Sequence, residues 1–276
     1  MSLLTGEDRT FFKANGYLVL RDAVPKRNCD AVIEDIFRFL EMDPNDHDGW
    51  YRRPLEPGRC VELYHTQSMW NNRQHPRIHE AFAQLWGNAH LWCSIDRVSF
   101  KPPAHPAHPD WDVEGFLHWD LGDMAHLPIQ FGLQGVLCLT DTAADQGGFH
   151  CVPGGHKDLT REPRPADVLT APDLDKLTPV PVPAHGGDLI IWHRALPHGN
   201  GRNRSSNPRL AQYITMGPAP VNHDGAGHDA RRLRIATWKQ KCTKQIADPS
   251  LADTLPEPAD IHLTPLGRKL LGVDPW

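Results

Sequence analysis

With 276 residues, 39% of them hydrophobic and 23% charged, the chain has a globular rather than a disordered composition and is long enough for a sizeable core. A formal net charge of -5 argues against nucleic acid as a partner, since phosphate contacts would call for a basic face. No long apolar run is present, and Met1-Ser2-Leu3-Leu4-Thr5-Gly6-Glu7-Asp8 lacks the basic and then hydrophobic layout of a signal peptide, so the expectation is a cytoplasmic protein without a membrane role. Six cysteines without a CxxC pair read as reduced, mostly buried thiols.

Thr5, with Asp8 three residues on, predicts a capped helix over Glu7 to Ala14 that Gly16 stops, followed by a strand from Tyr17 to Leu20. A second helix from about Lys26 to Glu41 sets Val32, Ile33, Ile36, Phe37 and Leu40 on one face, the spacing of a helix that covers a sheet. Residues 43–75 read as irregular. Such a long connection serves either as a lid or as a crossing loop, and as a lid it would offer Trp50, Tyr51, Arg53, Tyr64 and His65 to a substrate. Pro76 opens another helix, with Ile78, Phe82, Leu85 and Trp86 inward and Gly87 as its end.

From Leu91 on, extended segments dominate, at roughly 91–101, 114–120, 130–141, 148–152, 179–183, 187–194 and 209–217, separated by proline and glycine clusters. Such spacing predicts a sandwich or small barrel. Residues 102–110 are too proline-rich for a central strand and read as a loop at its mouth. One domain over 1–276 is expected, with a helical part at about 5–90, a β core at about 91–220 and a proline-broken tail at 221–276.

Phe116-Leu117-His118-Trp119-Asp120 sets an imidazole and a carboxylate two residues apart, on one face if the segment is extended. Among 17 histidines a His-x-Asp pair is expected by chance, and this one gains weight from the residues C-terminal to it. The segment from Gly187 to Asn200 supplies His193 or His198 as a third ligand, and Arg209 then opens the run Leu210-Ala211-Gln212-Tyr213. Two histidines and a carboxylate with open positions opposite suit a non-heme Fe(II) oxygenase, and a guanidinium nearby suits a carboxylate held bidentately. A zinc hydrolase could use the same three ligands, although Arg209 then lacks a purpose. Gln134 and Trp119 lie on strands near the pair, as packing residues or as contacts to cosubstrate and substrate.

Taken together, His118-Trp119-Asp120, the block from Leu139 to Lys157 containing Gln146-Gly147-Gly148 and Val152-Pro153-Gly154-Gly155-His156, Gly187-Asp188, His198-Gly199, Arg209 and the opening Phe11 to Leu20 resemble the phytanoyl-CoA dioxygenase family over most of residues 5–220. The resemblance implies an all-β core with flanking helices, a double-stranded β-helix of the jelly-roll, cupin-like kind. It implies Fe(II), 2-oxoglutarate and O2. His118, Asp120 and His198 fall on the iron ligands, which favours His198 over His193, and Arg209 falls on the partner of the distal carboxylate of 2-oxoglutarate. Lys101 resembles a position near the cosubstrate, and Asn200 stands where the family often has serine. The implied reaction oxidises an aliphatic C-H of a small molecule by hydroxylation, desaturation or ring closure, with release of succinate and CO2. Asp120 fills the position that a halide would need. An inactive cupin-like binding protein is a third possibility, and nothing in the sequence selects the substrate.

Overall fold

The computed structural model describes residues 2–52, 60–112, 115–120, 129–157, 174, 176–220 and 226–276. Helix α1 spans Gly6–Asn15. The Asp8 amide donates to the Thr5 hydroxyl at 3.1 Å while the Asp8 carboxylate accepts from the Thr5 amide at 2.8 Å, and Gly16, at φ 80°, closes the other end. Strand β1 (Tyr17–Leu20) follows, and α2 (Lys26–Leu40) buries Val32, Ile36, Phe37 and Leu40.

The larger sheet is antiparallel. Its neighbours, in order, are β1, β8 (Leu189–His193), β5 (Leu133–Cys138), β10 (Arg209–Tyr213), β4 (Val98–Lys101) and β2 (Cys60–Val61). A smaller sheet sets β6 (Phe149–Cys151) between β7 (Val180–Pro181) and β9 (His198–Asn200), and β3 (Leu91–Cys93) pairs with β11 (Met216–Pro218). Side-chain alternation divides the core in two. Leu137, Leu189, Ile191 and Leu210 face outward and pack with residues of α2. Val136, Cys138, Ile190, Trp192 and Ala211 face inward and meet Phe149, Cys151 and Val182 of the smaller sheet. Two antiparallel sheets closed over a shared interior make the double-stranded β-helix.

The Gly187-Asp188 pair has a structural purpose. Buried Asp188 accepts from the Asp22 amide at 3.0 Å, from the His185 amide at 2.8 Å and from Arg21 at 2.6 Å, fastening the exit of β1 to the start of β8. Gly187 sits at φ 100° with the Val24 carbonyl 2.7 Å from where a Cβ would stand, so only glycine fits.

Several expected elements are corrected. Residues 91–101 break into β3 and β4, because the two halves pair with different strands, and 209–217 breaks into β10 and β11 for the same reason. The described part of 114–120 forms no strand and meets β9 through an isolated bridge, His118 to His198, and a bond from the Gly115 amide to the Asn200 carbonyl. Within 43–75, a 3-10 turn at Asp48–Tyr51, β2 and a helix α3 (Gln67–Arg73) capped by Thr66 replace the irregular connection. The helix opened by Pro76 is α4 (Pro76–Trp86), as expected.

Residues 226–276 are no loose tail. Helices Ala226–Lys239 and Pro265–Leu271 place Trp238 and Leu271 in one cluster with Trp70 of α3 and with Ile261 from the connection between them, and the Trp276 indole donates to the Leu91 carbonyl at 2.9 Å. Prolines between the apolar positions hide this packing from a periodicity reading. Among the described residues, no helix is long and apolar enough to cross a membrane.

Trp238 is fully buried. Trp238→Ala should destabilise the protein by about 3–5 kcal/mol, the usual effect of emptying a buried aromatic site. Urea denaturation measures this, and a midpoint shift typical of a surface change would mean that the C-terminal helices do not belong to the packed core.

Candidate active site

Three backbone bonds bring the candidate ligands together. The His118 amide donates to the His198 carbonyl at 2.9 Å, the His198 amide returns the bond at 3.0 Å, and the Gly115 amide donates to the Asn200 carbonyl at 2.8 Å. Residues that exchange both bonds across an antiparallel pair send their side chains to the same side. The imidazole centroids are 4.6 Å apart, and donor atoms of His118, Asp120 and His198 lie within 4.8 Å of one another.

The hydrogen bonding of the two rings bears on whether a metal fits there. His118 Nδ1 lies 3.0 Å from the Phe116 carbonyl and His198 Nδ1 2.9 Å from the Leu196 carbonyl. Carbonyls only accept, so both Nδ1 atoms carry the proton, and the lone pairs of both Nε2 atoms face inward. They meet the Asp120 carboxylate at 3.6 and 3.4 Å. Lone pairs from three groups converging in this way repel unless a cation lies among them. Burial lowers the proton affinity of His118, and the neighbouring His198 also lowers it. The Gln134 amide donates to Asp120 Oδ2 at 2.7 Å, which favours the ionised carboxylate. Neutral imidazoles and an ionised carboxylate are the forms that a divalent metal binds, so the residues fit one.

The three residues open onto a cleft of about 560 Å³ whose wall includes Arg209, Arg97, Tyr213, Gln134, Asn200 and Trp192. Arg209, 1% exposed, is held by its Nη1 on the Ser99 hydroxyl at 3.1 Å, while its Nε has no hydrogen-bond partner. Among the described residues no carboxylate pairs with it. A buried guanidinium left in that condition is costly, and an anion entering the cleft would relieve it.

These features agree with the comparisons. The phytanoyl-CoA dioxygenase (PhyH) family model matches residues 12–211. The chain belongs to the phytanoyl-CoA dioxygenase family. It is thereby an iron- and 2-oxoglutarate-dependent dioxygenase, with O2 as co-reactant. It is 24% identical to a Dictyostelium discoideum protein bearing the phytanoyl-CoA dioxygenase name, across 96% of this chain and 86% of that one. It is 30% identical to the Ava biosynthesis cluster protein O of Aspergillus versicolor, across 77% and 78%. In fold it is similar to the non-heme alpha ketoglutarate dependent epimerase SnoN from nogalamycin biosynthesis, at a TM-score of 0.56 and 18% identity, covering 77% of this chain and 82% of that one. A zinc hydrolase or an inactive cupin-like protein finds no support in this family.

Several sequence-predicted residues lie elsewhere. His193, next to Trp192 on β8, points to the opposite face. Its Nδ1 accepts from the Ala195 amide at 3.0 Å, burial pushes its pKa down to about 4, and it lines a separate cleft of about 310 Å³ with Phe12 and His156. Buried Trp50 packs on Phe37 and Phe100, and Tyr51 stacks on His108 while donating to the Pro103 carbonyl at 2.8 Å. His65 is buried against Trp70, with Nε2 3.0 Å from the Cys242 carbonyl, and burial pushes its pKa down to about 3. Tyr64 donates to Glu62 at 3.2 Å, and the Trp119 indole donates to the Ala195 carbonyl at 3.0 Å. None of these residues is on the wall of the larger cleft, and Trp50, Tyr51, Tyr64, His65 and Trp119 are each engaged in packing or hydrogen bonds away from it. Arg53 lies outside the described residues. Lys101, opposite Arg209 in register, is buried with its ammonium donating to the Gly201 carbonyl, and it too is absent from the cleft wall.

Sequence reasoning missed Arg97, Asp96, Cys60, Phe116, Phe149, Trp192, Tyr213 and Thr215, all of which line the cleft. Tyr213 was findable, since it stands four residues after Arg209 on one strand and therefore shares its face. Burial raises the Asp96 carboxyl, partly offset by the Arg97 amide that donates to it at 2.8 Å.

Because no carboxylate among the described residues meets the buried Arg209 charge, Arg209→Met should leave the cosubstrate-free protein at least as stable as the parent. Thermal unfolding measures this. A lowered midpoint would assign Arg209 to the scaffold.

Proposed function

We propose that the protein oxidises an aliphatic C-H bond of a small organic substrate, by hydroxylation, desaturation or oxidative ring closure. The reading rests on one observation above others, the buried guanidinium of Arg209, its Nε without a hydrogen-bond partner, on the same cleft as a convergent His118, Asp120 and His198 set. His118, Asp120 and His198 would hold the iron, and Arg209 would hold the distal carboxylate of 2-oxoglutarate. When bound, the iron supplies the means of splitting O2, one oxygen atom going to 2-oxoglutarate, which leaves as succinate and CO2, and the other serving to oxidise the substrate.

The chain's own residues supply position and exclusion. Arg209 offers a planar fork that matches a carboxylate, which orients the cosubstrate as well as neutralising it. Asn200, on β9 two residues after His198, presents an amide to the same cleft. Phe116, 77% exposed, and Phe149 give the cleft apolar surface beside the histidines, where an aliphatic carbon can lie while water is kept from it. Arg97, which also lines the cleft, offers a cation to a polar end of the substrate. AusO of Aspergillus calidoustus, 25% identical across 95% of this chain and 82% of its own, is named an iron/alpha-ketoglutarate-dependent dioxygenase, which supports this reading. The six free thiols suit a reducing compartment, so we place the protein in the cytoplasm.

Replacing His118, Asp120 or His198 with Ala should abolish both Fe(II) binding and succinate formation, and His193→Ala should spare metal binding. Anaerobic Fe(II) titration with a succinate assay checks this, and the reverse pattern at the two histidines would give the ligand to His193.

For Arg209→Lys the charge survives but the fork is lost, so the KM for 2-oxoglutarate should rise about tenfold or more, the equivalent of a charge-assisted bond of about 1.5–3 kcal/mol. An unchanged KM would remove Arg209 from the cosubstrate site.

A further inference from the structure

Gln134 lies directly opposite Trp192 in the register of β5 and β8, on the inward face of the larger sheet. The Trp192 indole nitrogen is 3.0 Å from Gln134 Oε1, and Gln134 Nε2 is 2.7 Å from Asp120 Oδ2. An indole nitrogen can only donate, so the atom facing it must be the amide oxygen. That choice settles the other end, because the amide NH2 then has to face Asp120. Were the amide turned over, an N-H would oppose the indole N-H and a carbonyl would oppose the carboxylate.

Trp192 also touches the second histidine. Its ring packs on His198 with centroids 5.0 Å apart and on Phe149 at 4.6 Å, while Phe149 stacks on His198 at 5.9 Å with an interplanar angle of 23°. Asp120 needs this help more than the histidines do. The histidines are tied to each other through backbone bonds, whereas the Asp120 side chain is 52% exposed. A carboxylate so exposed samples several rotamers unless one of its oxygens is held.

We propose that Trp192 and Gln134 form a positioning pair for the metal ligands. The indole fixes the orientation of the amide, and the amide engages Asp120 Oδ2, so that Oδ1 remains the uncommitted donor. The inference rests on the reading of His118, Asp120 and His198 as the metal ligands, and it takes Gln134 out of direct cosubstrate contact and gives it an orienting role. Sheet backbone carries both residues, so the arrangement is rigid before any metal arrives.

The test is metal affinity, measured in the full chain by anaerobic Fe(II) titration against a chelator and by the visible absorption of bound Co(II), alongside the thermal midpoint of the metal-free protein. Gln134→Leu should weaken binding about 10–100-fold and alter the Co(II) spectrum while leaving the metal-free midpoint near that of the parent. Trp192→Phe, which retains an aromatic ring against His198 but loses the N-H, should weaken binding in the same direction. Combining the two should weaken it no further than Gln134→Leu alone, since an indole has nothing to orient once the amide is gone. Affinity within twofold of the parent for Gln134→Leu would overturn the pair, and so would effects that multiply in the double variant. Asp120→Ala separates the two levels of inference. If it abolishes binding while Gln134→Leu does not matter, only the positioning role fails, and if Asp120→Ala also leaves affinity intact, the metal-site reading itself fails.

Discussion

The two-way backbone bond between His118 and His198 is the constraint on which the rest of the site depends. These residues are far apart in the chain, and the segment carrying His118 is otherwise irregular, so this bridge supplies the register that a regular strand would have supplied. Side chains opposite each other across such a bridge stand a few ångströms apart on one side, the separation that a shared metal needs. The nearby bond from the Gly115 amide to Asn200 extends the contact by one more point and brings Phe116 alongside the histidines. Gly199 shows how closely the layers approach, since a Cβ there would meet the Phe116 carbonyl at 2.7 Å and the His150 ring at 2.6 Å. Glycine after the distal histidine is therefore a requirement of the backbone, with the chemistry left to its neighbour.

Electrostatics run the opposite way from packing. An apolar interior between two sheets is an unfavourable place for a guanidinium, yet β10 turns Arg209 into it, where among the described residues it meets the neutral hydroxyls of Ser99 and Tyr213 and no carboxylate. A counter-charge from the protein would occupy the space proposed here for the cosubstrate carboxylate. With no carboxylate among the described residues beside it, the guanidinium gives the cleft a preference for an anion. The metal end follows the same logic with the signs exchanged, where lone pairs converge and a cation is called for.

How far the sequence foretold this depends on whether a property is local. The Thr5 capping box, the apolar stripe of α2 and the Pro76 to Gly87 bounds of α4 are set within a few residues, and each is found where the spacing puts it. His118 and Asp120 were legible because a two-residue spacing survives even when the segment is not a strand. The breaks at 94–97 and 214–215 were not legible, because they depend on which distant strand each half meets. Trp50, Tyr51 and His65 depend on distant contacts in the same way. Aromatic and polar residues in a stretch without period look like a binding loop, yet contacts distant in the chain, with Phe37, Phe100, His108 and Trp70, claim them for the core. Trp192 was concealed by its own strand, where every residue is buried and alternation between apolar and polar types, the usual sign of an inward face, is missing.

That concealment separates the chemistry of the cleft from its selectivity. The groups proposed to hold or orient iron and cosubstrate, His198, Asn200, Arg209 and Gln134, sit on β9, β10 and β5, where strand pairing fixes their positions. Cys60, Arg97 and Phe116 line the same space but come from a two-residue strand, from the break before β4 and from the irregular approach to His118. Changes there leave the paired strands undisturbed, so the cleft can be reshaped around a different substrate without moving the groups assigned to iron and cosubstrate. The paired strands thus carry the groups proposed for iron and cosubstrate, and the weakly paired margins carry Cys60, Arg97 and Phe116 on the rest of the cleft wall.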